Sequence, residues 1–302
     1  MTGAAVTEIA LPPHYRWHDV LAFHRRDTES VAEHVTPRRI RKGVLVDGVA
    51  VEIGIEVDPA CEYARCGVRA DAPLSDAARA RVDEALRNML GLRIEPQALL
   101  ALTEADPLMG PLVRRRPGLR IVQSASAFEA LTWAIIGQQI NLPFAIALRR
   151  SLILQTGRRH SAGLWCYPEA ADVARLAPES LTAQKFSRAK ADTLLRLARL
   201  VQEGALSLAL PASGEVEALA AALLAVKGIG PWTVNYALLR GYGYADCSLH
   251  GDVAIRSALQ RLLGEPDKPD LARTEAFLAQ YKPQRSMAAA HLWASLQPPA
   301  PD

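Results

Sequence analysis

The residues best placed to do chemistry fall in one stretch, Leu223 to Arg256, which reads LLAVKGIGPWTVNYALLRGYGYADCSLHGDVAIR. An apolar helix runs into Lys227-Gly228-Ile229-Gly230. Pro231 then opens a second helix at the position where its fixed φ and missing N–H cost least. The two glycines let the chain turn sharply and come close to another molecule, and the free N–H groups at the second helix start form an anion site that fits a DNA phosphate. A Gly-x-Gly turn also serves dinucleotides, but that loop follows a strand in a βαβ unit, whereas this one follows a helix. A helix-hairpin-helix alone positions a protein on phosphates without identifying a base. A reaction needs further groups, and two carboxylates stand nearby, Asp246 and Asp252. Read alone, Asp252 is an N-cap, and Trp232 on its helix is a core residue.

These groups must be held by the elements around them. Residues Val44 to Val57 alternate, with Val49, Val51, Ile53, Ile55 and Val57 on one face, and Asp47-Gly48 between the two runs has the composition of a type I′ turn, so a β-hairpin is predicted. A further strand closes at Arg69 to Pro73. Ser75 then caps an amphipathic helix that runs through Leu90 and stops at Gly91. From Pro111 to Gly118 the chain turns to proline, arginine and glycine, and beyond it helical periodicity replaces alternation. The prediction is an α+β chain: a small α/β domain with an antiparallel sheet over 1–112, and a helical region over 113–302 with its helix-hairpin-helix at about 219–240. Helices are expected over 144–155, 187–203, 216–226, 231–239, 251–263, 271–281 and 285–296. Ser126 and Glu129 read as a capping box, which assigns Glu129 to its own helix terminus rather than to catalysis.

Composition narrows the class. At 302 residues, half of them hydrophobic and 22% charged, the chain has room for more than one buried core and no apolar run near the roughly 20 residues that cross a bilayer. Its start lacks the pattern of a secretory signal, so a cytoplasmic location is expected. The four cysteines do not form a disulfide or zinc pattern. A formal charge of +3 is compatible with a polyanion. Three basic clusters are able to meet phosphates: Arg38, Arg39, Arg41 and Lys42; Arg114, Arg115, Arg116 and Arg120; Lys185, Arg188 and Lys190.

The hairpin, followed 22 residues after Gly230 by Asp252 in LHGDVAIR, resembles the helix-hairpin-helix DNA glycosylase superfamily. FEALTWAIIGQQIN at Phe128 to Asn141, GIGPWTVNYALLRGYG at Gly228 to Gly243, and KPQRSMAAAHLW at Lys282 to Trp293 narrow the resemblance to the AlkA-type 3-methyladenine DNA glycosylase II family, and LPPHYRWHDVLAFHRR extends it to the N-terminal domain. The resemblance implies that Asp252 is the catalytic carboxylate and that Trp232, Tyr236 and Trp293 line the base pocket. It further implies that Lys227, Gly228, Ile229, Gly230 and Thr233 meet a DNA phosphate. The Gly137 to Ile140 turn would fill the gap left by a flipped nucleotide, with either Gln139 or Ile140 as the wedge.

The implied activity is monofunctional excision of alkylated purines from duplex DNA in base excision repair. Trp232 stands where bifunctional relatives carry a Schiff-base lysine, and no cysteine follows Cys247, so neither a lyase step nor an iron–sulfur cluster is expected. Purines alkylated at N3 or N7 are cationic and good leaving groups. One carboxylate suffices for them, and aromatic faces suit an electron-poor base. The expected partner is double-stranded DNA bound by a monomer, without a side-chain metal site; the superfamily's hairpin carbonyls can hold a monovalent cation. Three alternatives stay open: a glycosylase for oxidised or deaminated bases, which would turn polar groups such as Gln138 or Asn235 to the base; a non-catalytic damage-binding module; and an unrelated metabolic enzyme.

Overall fold

The computed structural model describes residues 5–209 and 216–297. Its N-terminal half is built on strands β1 (Ala5–Ala10), β2 (Glu33–Val35), β3 (Arg39–Val46), β4 (Val49–Val57) and β5 (Tyr63–Ala70), with helix α1 (Trp17–His24) between the first two and α2 (Asp76–Met89) after the last. The strands lie in the order β1-β5-β4-β3-β2, all antiparallel. The expected hairpin is the β3–β4 turn. Asp47 and Gly48 both have positive φ, 51° and 74°, as a type I′ turn requires. Ser75 caps α2 by accepting from Ala78 N–H, and Gly91 ends it at φ 67°. Val51, Ile53 and Ile55 of β4 pack with Val82, Leu86 and Met89 of α2 in one core.

Helices follow for the rest of the chain. They are α3 (Gln97–Leu102), α4 (Met109–Arg114), α5 (Ala127–Gly137), α6 (Leu142–Thr156), α7 (Ala170–Ala174), α8 (Pro178–Ala183), α9 (Arg188–Gln202), α10 (Val216–Leu224), α11 (Pro231–Ala237), α12 (Val253–Leu263), α13 (Leu271–Ala279) and α14 (Arg285–Ser295). A π-helical turn, Leu238–Tyr242, continues α11. Apolar α5 lies at the centre of a second core, with Leu131, Ile135 and Ile136 fully buried.

The two cores interleave around the expected 112/113 boundary. Ile94, Leu99, Met109 and Val113 already pack with the helices, whereas Val122 and Ala125 return to the sheet core. A short strand from the helical half, β6 (Cys166–Tyr167), adds to β3 in parallel and pairs with Gly43 and Val44. A Cβ at Gly43 would stand 2.3 Å from the Trp165 carbonyl oxygen, so this crossing depends on glycine.

Charge also ties the halves together. Lys42 Nζ of β3 donates to Glu33 of β2 at 2.7 Å and to Glu129 of α5 at 2.6 Å. Arg149 of α6 donates to the same two carboxylates at 2.6 and 2.8 Å. All four side chains are buried. Glu129 is therefore more than a cap. Ser126 Oγ accepts from Glu129 N–H as predicted, but the Glu129 carboxylate returns to Ala125 N–H with one oxygen and receives both cations with the other.

Each basic cluster read from the sequence keeps exposed members, Arg38 and Arg39, Arg114 and Arg115, Lys185 and Arg188, and turns one member inward. Lys42 is 2% exposed, Arg120 is buried against Glu95 and the Gly91 carbonyl, and Arg116 donates to the Ala294 carbonyl. Lys190 is buried as well, with Nζ donating to the Ile136 and Gln138 carbonyls at 2.6 and 2.7 Å. Among the described residues no helix is long and apolar enough to cross a membrane, and no group of His, Cys, Asp and Glu forms a candidate metal site.

Candidate active site

Pro231 at N1 sets the start of α11, and the spacing of four residues puts Trp232 and Tyr236 on one helical face. Their rings stack with centres 5.1 Å apart, and Trp293 of α14 meets Tyr236 edge-on at 6.5 Å. Trp133 of α5 donates Nε1–H to the Tyr236 hydroxyl at 3.0 Å and so fixes the tilt of that ring.

Asp252 lies against this cluster. As the N-cap of α12, its Oδ1 accepts from Ala254 N–H at 2.9 Å and Ile255 N–H at 3.0 Å. The Trp293 indole donates to the same oxygen at 3.1 Å, and the Trp232 indole donates to Oδ2, also at 3.1 Å. The cap and the site are thus one residue. Oδ1 holds three donors and Oδ2 one, so unused acceptor capacity is concentrated on Oδ2.

The loop that delivers Asp252 is pinned from both flanking helices. Ser286 at the start of α14 accepts from Cys247 N–H and donates to the Tyr244 carbonyl, while Asn235 of α11 accepts from Ser248 N–H and donates to the Pro231 carbonyl. Asn235 is therefore spent on the scaffold. The rival carboxylate, Asp246, is ion-paired with Arg285 at 2.6 Å. His250 is bonded to Ser248 Oγ at 2.9 Å.

The hairpin's two glycines have different reasons to be there. Gly228 has φ 98°, and a Cβ on it would stand 2.0 Å from Thr193 Oγ1, so the fold itself excludes a side chain. Gly230 has extended backbone and nothing within 4 Å of a would-be Cβ, so any close approach there is to a second molecule. Lys227 is exposed. The side chains of Ile229 and Thr233 are turned inward, so an anion there would meet backbone, as the free N–H groups of the sequence reading imply. Ile229 is anchored in the core, and Thr233 is buried with its hydroxyl accepting from Gln138 Nε2–H at 2.9 Å, which leaves only their backbone for an anion. The Val226, Lys227 and Gly228 carbonyls accept protein donors from Ile229, Arg196 and Gln138. A monovalent cation at the turn would have to share those oxygens.

Gln138 also donates to the Gly228 carbonyl at 3.1 Å, which couples the turn after α5 to the hairpin. Lys190 grips the same turn from below through the Gln138 carbonyl. Gln139 forms its tip, exposed and at φ 56°, while Ile140 lies half-buried against the helical core.

Sequence reasoning missed the cations behind the aromatic cluster. The Arg240 guanidinium carbon lies 5.9 Å from the Tyr236 ring centre and 5.6 Å from that of Trp293. Arg26 lies 4.9 Å from Trp133 and 3.8 Å from Phe23, a ring of α1 that Arg240 also approaches, at 5.0 Å. One signal pointed to Arg240: positions 232, 236 and 240 share the four-residue spacing of a helix face.

Two family models match the chain, the AlkA N-terminal domain over residues 7–126 and the HhH-GPD superfamily base excision DNA repair protein over residues 132–284. It is 30% identical over 195 residues to a DNA-3-methyladenine glycosylase of Bacillus subtilis (strain 168), a match covering 64% of each protein. It is 33% identical to DNA-3-methyladenine glycosylase 2 of Escherichia coli (strain K12) over 61% of this chain and 63% of that one. The chain thus spans just under two thirds of the length of these relatives. The fold is that of 3-methyladenine DNA-glycosylase from Archaeoglobus fulgidus, with a TM-score of 0.78 and 20% identity across 95% of this chain and 97% of the other. With its hairpin, aromatic cluster and helix-capping aspartate in a region matched over half its length, the chain belongs to the HhH-GPD superfamily of base excision DNA repair proteins.

Proposed function

We propose that this protein is a monofunctional DNA glycosylase that flips an alkylated purine of the 3-methyladenine type out of duplex DNA and hydrolyses its glycosidic bond. The observation that carries the reading is the convergence of both indole N–H groups, from Trp232 and Trp293, on the Asp252 carboxylate. Such an arrangement holds a carboxylate beside aromatic faces, as a reaction that stacks a base while charge builds on its sugar requires.

Backbone N–H groups around Gly230 would take a phosphate, and Gln139 at its exposed tip would act as the wedge, held in line with the hairpin by Gln138 and Lys190. Extrusion then costs a few kcal/mol, least for a damaged pair. The flipped base would stack on Trp232, Tyr236 and Trp293. As the C1′–N bond breaks, its electron pair goes to the base and positive charge grows at C1′ and the ring oxygen. Asp252 Oδ2 opposes that charge and orients the water whose oxygen bonds to C1′. Trp232 stands in place of a Schiff-base lysine, which supports hydrolysis without a lyase step. Asn235 and Gln138 are engaged by protein groups, which favours a pocket relying on stacking over one that reads a neutral base through either amide.

The test compares wild type with Asp252→Asn on duplexes carrying 3-methyladenine or 7-methylguanine. Asparagine caps a helix as well as aspartate, so the variant folds, and its release of free base is expected to fall about 10²- to 10⁴-fold. Strand breaks should appear only after alkali. Retained release by the variant would remove Asp252 from the mechanism, and breaks without alkali would restore a lyase.

A further inference from the structure

Resting on the glycosylase reading, we infer that Arg240 is a specificity-determining residue of the base pocket, there to stabilise negative charge on a departing base that enters uncharged. Arg240 belongs to the π-helical turn that extends α11, and such turns are frequent at functional sites. Its guanidinium lies near three rings, Phe23, Tyr236 and Trp293, at 5.0, 5.9 and 5.6 Å. Nη1 is tethered to the Val122 carbonyl at 2.5 Å, and Nε is buried with no partner. Arg26 adds a second positive charge, over Phe23 and Trp133. Among the described residues neither guanidinium has a carboxylate partner within ion-pair distance. Half-buried cations without a carboxylate partner beside an aromatic cluster are costly to hold there unless an anion forms beside them.

The chemistry gives the two lesion classes opposite responses to that charge. A purine alkylated at N3 or N7 enters as a cation, and the electron pair of the broken C1′–N bond leaves it neutral. The proton lost by the attacking water then passes to solvent. A deaminated purine enters neutral, and the same electron pair makes it an anion until the proton lost by water, or one from solvent, reaches it. Arg240 therefore opposes binding of the first class and favours departure of the second. The aromatic faces serve the cationic base, and the arginine extends the pocket to neutral ones, a task open to neither Asn235 nor Gln138.

The experiment measures single-turnover release from duplexes carrying hypoxanthine, which is neutral, and 7-methylguanine, which is cationic, by wild type, Arg240→Gln and Arg240→Lys. Preorganised donors at a developing anion contribute up to about 10²- to 10³-fold, and for a group some ångströms behind the ring we expect Arg240→Gln to lower the hypoxanthine to 7-methylguanine rate ratio about tenfold. Arg240→Lys keeps the charge and should hold the ratio nearer wild type. A merely structural arginine would reduce both rates alike, and an unchanged ratio overturns the proposal. Wild type that releases 7-methylguanine but no hypoxanthine also overturns it while leaving the glycosylase reading intact. Release of neither base, nor of 3-methyladenine, takes both down.

Discussion

Glu129 and Asp252 each stand at the first turn of a helix, and the molecule treats them in opposite ways. Glu129 is sealed between the sheet and the helices, where two carboxylates meet two cations and every charge is balanced. Asp252 is half-buried without an ion-pair partner, held only by neutral N–H donors, and the arginines near the aromatic cluster are likewise without carboxylate partners among the described residues. Balanced charge fixes structure because each member is satisfied before any ligand arrives. Unbalanced charge that is only half-buried leaves interaction energy for something that is not yet there. The comparison therefore separates two carboxylates that sequence position alone does not.

The largest effect expected from it is on stability. Glu129→Gln leaves the Lys42 and Arg149 charges short of one partner in a buried site, which should cost about 3 to 5 kcal/mol in urea unfolding, while lesion release per folded molecule stays near wild type. Asp252→Asn should show the converse, with an unfolding midpoint close to wild type because the cap survives. If Glu129→Gln abolished release without lowering stability, the division between the two regions would collapse.

A pH experiment probes both regions without mutating either carboxylate. His24 packs near the ionic cluster and donates Nε2–H to the Met89 carbonyl at 3.1 Å; burial first, and then Lys42, lower its pKa to about 4. His291 lies on α14, the helix that carries Trp293, and burial with Arg116 and Arg16 lowers it to about 4 as well. Both folded values lie below the unfolded value near 6.5, so the unfolded chain binds more protons between those limits. Stability is then full above about pH 6.5 and falls as pH drops toward 4, by on the order of 3 kcal/mol per histidine. Glu33 and Glu129 are displaced below the ordinary carboxylate range despite their burial, by Arg149 and Lys42, so their contribution is lost only at more acid pH. Unfolding at pH 7.5 and 5 should therefore report the histidines. His291→Gln should flatten the slope, and an unaltered slope would mean that this ring is not held neutral.

What could be read from the sequence was whatever depends on near neighbours. The Asp47-Gly48 turn, the Ser75, Ser126 and Asp252 caps and the hairpin follow from residues a few positions apart, and all are present. The ionic cluster was hidden because Lys42 and Glu129 meet across 87 positions, and a lysine in a basic run reads as solvated. Strand β6 was hidden for the same reason, since two residues carry no periodicity and owe their pairing to Gly43. Lys190 stands in a basic cluster able to meet phosphates, yet its ammonium is a clamp on two carbonyls. Asp252 was placed by family spacing, but its two indole partners come from helices 41 and 20 residues away, and only folding brings them together.

The smallest expected effect divides the labour between those indoles. Trp232→Phe and Trp293→Phe each keep an aromatic face and delete one N–H donor to Asp252. A hydrogen bond to a charged group contributes about 1.5 to 3 kcal/mol, which sets an upper range near 10- to 100-fold on the rate of base release. The two losses should not be equal. Oδ1 retains Ala254 and Ile255 N–H when Trp293 is changed, so the carboxylate stays seated on its helix. Oδ2 has only Trp232, so its loss frees the oxygen assigned to the sugar and water to rotate away from them. Trp232→Phe is therefore expected to lower single-turnover release more than Trp293→Phe, with little change in unfolding midpoint for either. The reverse order would move the working oxygen from Oδ2 to Oδ1, and would mean that the cap competes with the chemistry instead of orienting it.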